Sequence, residues 1–322
     1  HLSLRRQRQM CIRDSLTTGF GVTELIVKAT PLILIGVGLS IGFKANVWNI
    51  GAEGQFTMGA IAGGGTALFL NTQESFLVLP AVLLMGILGG VVWGMIPAFL
   101  KTKFNANEIL TSLMLSYVAL LILSYLVHGP WRDPGGYNFP ESEIFSDFAM
   151  LPILLEGTRL NLGTLFALLS VLIIYILLSR TVLGYQFKVV GLAPAAAKHA
   201  GFDRAKLIWL SMIISGGLAG LAGISEVSGT IGQLLPSVSP GYGFTAIIVA
   251  FLGRLNPVGV LFAGLIMALT YIGGENAQIE IGLPAAVTGL FQGVILFFLL
   301  ACDVLARYRL RYKPFLKARD RE

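Results

Sequence analysis

The side chains with most chemistry to offer lie in one short string, Asn49, Ile50, Gly51, Ala52, Glu53, Gly54 and Gln55, set between two long apolar runs. Asn and Gln each present a carbonyl acceptor and an NH₂ donor, so the string could satisfy the donors and acceptors of a polar solute in both directions. An acid at the centre of a membrane helix costs about 2.5–3.5 kcal/mol, so Glu53 is expected to face protein or water, and such residues often mark a pathway. Asn107 and Glu108 open a second string of the same kind. The five residues Asn49, Glu53, Gln55, Asn107 and Glu108 are therefore candidates to line a substrate path. The competing reading is architectural: Asn49 caps the following helix through its side-chain oxygen, and Glu53 and Gln55 sit at an interface.

Covalent chemistry has no comparable basis in the sequence. A convergent nucleophile, base and metal set is missing, and His128 and His199 lack metal-ligand spacing. Cys11 and Cys302 form neither a CxxC pair nor a disulfide framework. The phosphate-cradling pattern GxxxxGK[ST] does not occur, so any ATP hydrolysis belongs to another polypeptide. A non-enzymatic chain without cofactor, metal or nucleic-acid partner follows.

The elements that would position these residues are membrane helices. The 322 residues are 55% hydrophobic and only 12% charged, against roughly 25% charged in a soluble domain. Since a bilayer core takes about 20 apolar residues per helical span, candidate spans fall near Leu25–Phe43, Gly54–Leu70, Leu77–Leu100, Ile109–Val127, Leu162–Ser179, Leu207–Val227, Phe244–Leu252, Val258–Ile272 and Pro284–Leu305. The 39 glycines suit close helix approach, and Gly59/Gly63, Gly86/Gly90, Gly216/Gly220 and Gly289/Gly293 have the small-xxx-small spacing of packed crossings. The stretch Gly229 to Gly243, with Pro236 and Pro240, is read as an external loop or as a broken helix lining a path.

Lys and Arg are retained on the cytoplasmic side, which places Lys44, Lys101, Lys103, the turn at Arg254 and the tail from Arg307 inside. The acidic connection from His128 to Arg159 and the loop from Gly273 to Leu283 fall outside. Alternation then puts Leu16 to Glu24 outside, where Arg5, Arg6, Arg8 and Arg13 would be misplaced. Met10 to Ser15 is what ATG-TGT-ATA-AGA-GAC-AG(C/T) would encode, and this resembles a transposon-end adapter of sequencing libraries. Residues 1–15 are accordingly expected to be an assembly artefact replacing a first helix, with residues 16–322 a single transmembrane domain.

Residues 180–206 form the longest basic connection between spans. Ala193 to Ala200 is expected to be a short helix, introduced by Pro194 and closed by Gly201 as a C′ glycine. Composition alone favours a retained positive-inside loop that only fixes topology.

Asn49 to Gln55 looks like the signature of nucleoside-type permeases within the branched-chain amino acid and ribose permease family of bacterial ABC importers. Asn107 to Ser112 resembles the start of that family's fourth helix. Gly191 to Phe202, with Gly191, Ala195, Ala196, Ala197 and Gly201, resembles its cytoplasmic coupling segment. Ser215 to Gly223 and the set Ser239, Pro240, Gly241, Gly243 and Phe244 resemble its glycine-rich later helices. The resemblance implies an all-α, vitamin B12-importer-like (type II) bundle of about ten membrane segments in the bacterial inner membrane. It implies a second homologous permease, an ATP-binding cassette subunit docked on the coupling segment, an extracytoplasmic solute-binding protein, and nucleosides or related solutes as cargo. The same machine carrying a monosaccharide or branched-chain amino acid is the near alternative. An ion- or proton-coupled secondary transporter is the distant one, disfavoured because the spans lack a chain of acids or histidines.

Overall fold

A computed structural model describes residues 19–282 and 284–307, so the expected artefact at residues 1–15 lies outside the described residues. The chain forms α1 (Gly19–Lys44), α2 (Ala52–Phe69), α3 (Val78–Phe104), α4 (Glu108–His128), α5 (Leu162–Arg180), α6 (Val182–Leu192), α7 (Pro194–His199), α8 (Arg204–Glu226), α9 (Tyr242–Leu252), α10 (Pro257–Ile281) and α11 (Ala285–Arg307). Among the described residues, six of these helices carry stretches long and apolar enough to cross a membrane: α1, α3, α4, α5, α8 and α10. The fold is an all-α polytopic bundle.

Helix α1 is its axis. Of its apolar window 83% is buried inside the protein, against 22% for α3 and α4 and 28% for α5, because α8, α10, α9 and α5 all pack around it. The outer helices leave apolar side chains such as Leu121, Leu169 and Phe262 exposed, as lipid-facing surfaces require.

Glycine sets the tightest crossings. An added Cβ on Gly59 would strike the backbone of Gly220, and one on Gly220 would strike that of Gly86 and Gly90. Thus α2, α3 and α8 meet at backbone distance through three of the four expected pairs. The fourth pair differs: Gly289 and Gly293 have no described atom within 4 Å of an added Cβ.

Two connections depart from the sequence expectation. Residues 273–281, expected to be an external loop, continue α10 without a break to Ile281. Lys28 on α1 pairs with Glu275 in this extension at 2.7 Å. The basic stretch 180–206 holds not one short helix but two, since α6 precedes α7, its first turn capped by the Thr181 hydroxyl on Gly184 N–H at 3.2 Å. The end of α7 is as expected: Gly201 has φ +76°, Phe202 N–H bonds Ala197 O and Gly201 N–H bonds Lys198 O, the paired closure of a Schellman motif.

The break after α8 is a π turn, Val227–Ile231, followed by non-helical chain to Gly241. The acidic external connection covers it. Ser142 and Leu234 exchange backbone and hydroxyl hydrogen bonds at 3.0 and 2.9 Å, Phe145 N–H reaches Gly232 O at 2.9 Å, and Ser228 donates to Ala149 O.

Candidate functional site

The string from Asn49 to Gln55 links the end of α1 to the start of α2. Its amides pair with each other: Asn49 Nδ2 donates to Gln55 Oε1 at 2.9 Å and Gln55 Nε2 donates to Asn49 Oδ1 at 3.2 Å. Asn49 also donates to Ser215 Oγ on α8 at 2.8 Å and accepts the Gly51 N–H at 3.1 Å. Asn49 and Gln55 are only 2% and 1% exposed, and every polar atom of the two amides has a protein partner, as burial demands. The amides draw α8 onto the α1–α2 turn; Asn49 does not act as the N-cap of α2, a position held by Gly51.

Glu53 is 2% exposed. Its Oε2 accepts the Gly243 backbone N–H at 2.6 Å, and Ser239 bonds the same carboxylate. Gly243 lies in the first turn of α9, whose own N-cap, Gly241, has no side chain to offer. The carboxylate therefore caps the Gly243 N–H of α9 from another helix, at the positive end of the helix dipole, while Ser239 Oγ accepts the Tyr242 N–H at 2.9 Å. Gly243 must be glycine for this approach, because a Cβ would collide with the Glu53 and Ala52 backbone.

The Asn107 string meets the same turn from the other side. Ile50 N–H donates to Ser112 Oγ and Gly54 N–H to Ser116 Oγ, both at 3.2 Å. An added Cβ at Gly51 would lie 2.8 Å from Ser112 Cβ. Asn107 itself is exposed and caps α4 through Ile109 N–H at 2.9 Å. Glu108 is 8% exposed and paired with Lys101 at 2.8 Å. Three separated strings thus converge on residues 49–55, whereas the Asn107 and Glu108 side chains bond elsewhere.

Gly191 to Gly201 lies apart from this hub. Gly191 presses on the end of α1, where a Cβ would collide with Lys44 O. Ala197 is 3% exposed, while Ala195 and Ala196 point outward and Leu192 is 76% exposed.

A second polar group escaped the sequence reading. Thr245 on α9 bonds the Tyr271 hydroxyl at 2.8 Å and Gln292 Oε1 on α11 at 3.1 Å, and Tyr242 packs edge-on against Tyr271 and Phe56. These residues are scattered singly in apolar runs, so only their helical faces could have signalled them. Near the ends of α1 and the α4–α5 connection, Arg159 grips Glu24 through two bonds of 2.9 and 2.8 Å. That carboxylate holds the guanidinium above its ordinary range, with burial acting the other way. Metal-competent groups of His, Cys, Asp and Glu are absent among the described residues.

The sequence matches the family described as the branched-chain amino acid transport system / permease component over residues 21–300. The chain belongs to that family. It is 39% identical to a glucose ABC transporter permease protein of Haloferax volcanii, covering 92% of this chain and 80% of the relative. It is 32% identical to a guanosine ABC transporter permease protein of Bacillus subtilis, covering 90% and 82%. A solved metal-chelate type ABC transporter in an inward-facing conformation superposes with a TM-score of 0.50 at 19% identity, covering 87% of this chain and 85% of that one. That likeness concerns the fold alone. The chain is an ABC transporter permease and a multi-pass membrane protein, a class that in bacteria sits in the inner membrane. Permeases of this family work with an ATPase and a second permease.

Proposed function

We propose that this permease carries nucleosides or related solutes in an ATP-driven importer, together with a second permease, separate ATP-hydrolysing subunits and an extracytoplasmic binding protein. The observation that carries the substrate class is the Asn49–Gln55 string, whose resemblance is to nucleoside-type permeases and whose relatives include guanosine and nucleoside permeases. A monosaccharide is the second reading, favoured by the 39% identity to a glucose permease.

The path is framed by Asn49, Glu53 and Gln55, with Asn107 and Glu108 at the start of α4. Their bonds support a framing role exercised through the backbone that they hold: the α1–α2 turn, the start of α9 and the start of α4. Alternating access requires that ATP favour one permease state over another, and the coupling residues Gly191, Ala195, Ala196, Ala197 and Gly201 are the proposed relay. The exposure of Leu192, Ala195 and Ala196 on a connection that the positive-inside rule places in the cytoplasm supports a docked ATPase subunit.

Vesicle uptake of labelled guanosine and glucose, with the cognate ATPase and partner permease present, tests the reading. ATP-dependent guanosine accumulation that excess glucose does not inhibit is expected. Glucose uptake indifferent to nucleosides would establish the second reading, and uptake driven by an ion gradient without ATPase subunits would overturn both.

A further inference from the structure

Where α1, α5 and the end of α8 meet, a small cavity of about 10 Å³ is lined by Val27, Thr30, Asn161, Ser225, Glu226 and Thr230. That volume is at the lower bound for one water-sized guest. Its polar wall carries the hydroxyls of Thr30, Ser225 and Thr230 and the Glu226 carboxylate, together with the Asn161 amide. The Ser225 hydroxyl is buried, at 4% exposure, and has no hydrogen-bond partner. Pro31, also on the wall, lacks the N–H that would meet the Val27 carbonyl in an unbroken helix. Thr30 donates its proton to Ile26 O at 2.9 Å and accepts from the Thr164 hydroxyl at 3.1 Å, which leaves one oxygen lone pair. Carbonyls freed at interrupted helices are the groups with which membrane proteins coordinate small cations.

Charge points the same way. Five ionisable groups gather at this end of the bundle: Glu24, Lys28, Arg159, Glu226 and Glu275. Lys28 pairs with Glu275 and Arg159 with Glu24, and both cations are electrostatic neighbours of Glu226. Glu226 makes no ion pair within 4.0 Å among the described residues. With all three carboxylates ionised, two cations leave one negative charge, and a partly buried carboxylate is expensive without a counter-charge. Glu226 also stands at the entry to the π turn, a distortion frequent at functional sites.

We propose that this cavity is a binding site for one dehydrated monovalent cation of sodium size, held by the Glu226 carboxylate, the Ser225 and Thr30 hydroxyls and the Val27 carbonyl. A single carboxylate beside Lys28 and Arg159 suits one positive charge and opposes two. The bound ion would tie the interrupted end of α8 to α1.

Thermal unfolding of the full chain, assembled with its partner subunits in detergent, is measured in sodium, potassium and choline chloride at constant ionic strength. Saturable stabilisation by sodium over choline is expected, lost in Glu226→Gln and requiring about tenfold more sodium in Ser225→Ala, which removes one ligand. Equal stability in all three salts, or an unchanged sodium response in both variants, would overturn the proposal and leave an ordered water in the cavity. Should Glu226→Gln fail to assemble, the Ser225→Ala titration decides alone.

Discussion

The carboxylate of Glu53 accepts the backbone N–H of Gly243 at 2.6 Å across 190 residues of sequence. One side chain from the second helix thereby finishes the first turn of the ninth, whose loop supplies backbone N–H groups but no acid of its own.

Replacing Glu53 separates its two contributions. Glu53→Gln keeps an oxygen acceptor for Gly243 but loses the charge facing the α9 dipole, and should cost about 0.5–1 kcal/mol. Glu53→Ala leaves buried donors unmet and should cost about 1–3 kcal/mol. Thermal unfolding of the detergent-solubilised complex checks the order; a Gln variant as damaged as the Ala variant would show that charge, not capping, is what α9 needs.

Asn107 distinguishes capping from solute contact. Asn107→Ser retains a good N-cap oxygen, whereas Asn107→Ala should lose about 1 kcal/mol of helix stability. If the residue frames the path through α4, uptake should survive Ser and fall with Ala. Loss of uptake in both, at native stability, would mean that the amide itself meets the solute.

The glycine crossing gives a packing test with an internal control. Gly220→Ala places a methyl against the Gly86 and Gly90 backbone and should destabilise by about 1–3 kcal/mol. Gly289→Ala meets no described atom within 4 Å, so within this chain it should be tolerated. Unfolding of the single chain measures both; should Gly289→Ala instead weaken assembly alone, that glycine belongs to an interface between subunits.

At the coupling segment, Gly201→Ala must hold an L-residue at φ +76°, costing about 1–2 kcal/mol. A cysteine at Ala196, which is exposed, should crosslink to the ATPase subunit in an ATP-dependent manner. Reaction of that cysteine with a membrane-impermeant reagent from outside the cell would contradict both docking and topology.

What the sequence disclosed and what it hid have separate physical causes. Apolar runs announced the membrane helices because hydropathy is a local property, and Pro194 and Gly201 announced the ends of α7 because caps are local too. The outer third of α10 reads as a loop in sequence, since Gly273, Gly274, Glu275, Asn276 and Gln278 are individually loop-like. Helix persists there with support from Lys28 on another helix. Helix α6 was hidden by the basic residues that flank it. The strings around residues 49–55, 107–112, 215–223 and 239–244 were recognisable one by one. Their convergence was not, because Asn49 to Ser215 and Glu53 to Gly243 are bonds between residues far apart in the chain.

The Glu53 cap also carries a consequence for biogenesis. Ribosomes add roughly 5–20 residues per second, so the 190 residues between donor and acceptor take roughly 10–40 s to synthesise. During that interval Glu53 has already left the ribosome while the amide it will bond does not yet exist. The nascent second helix must pass that time with its acid in water, neutralised by a proton, or shielded by the insertion machinery, and it can enter its final seat only after the ninth helix arrives.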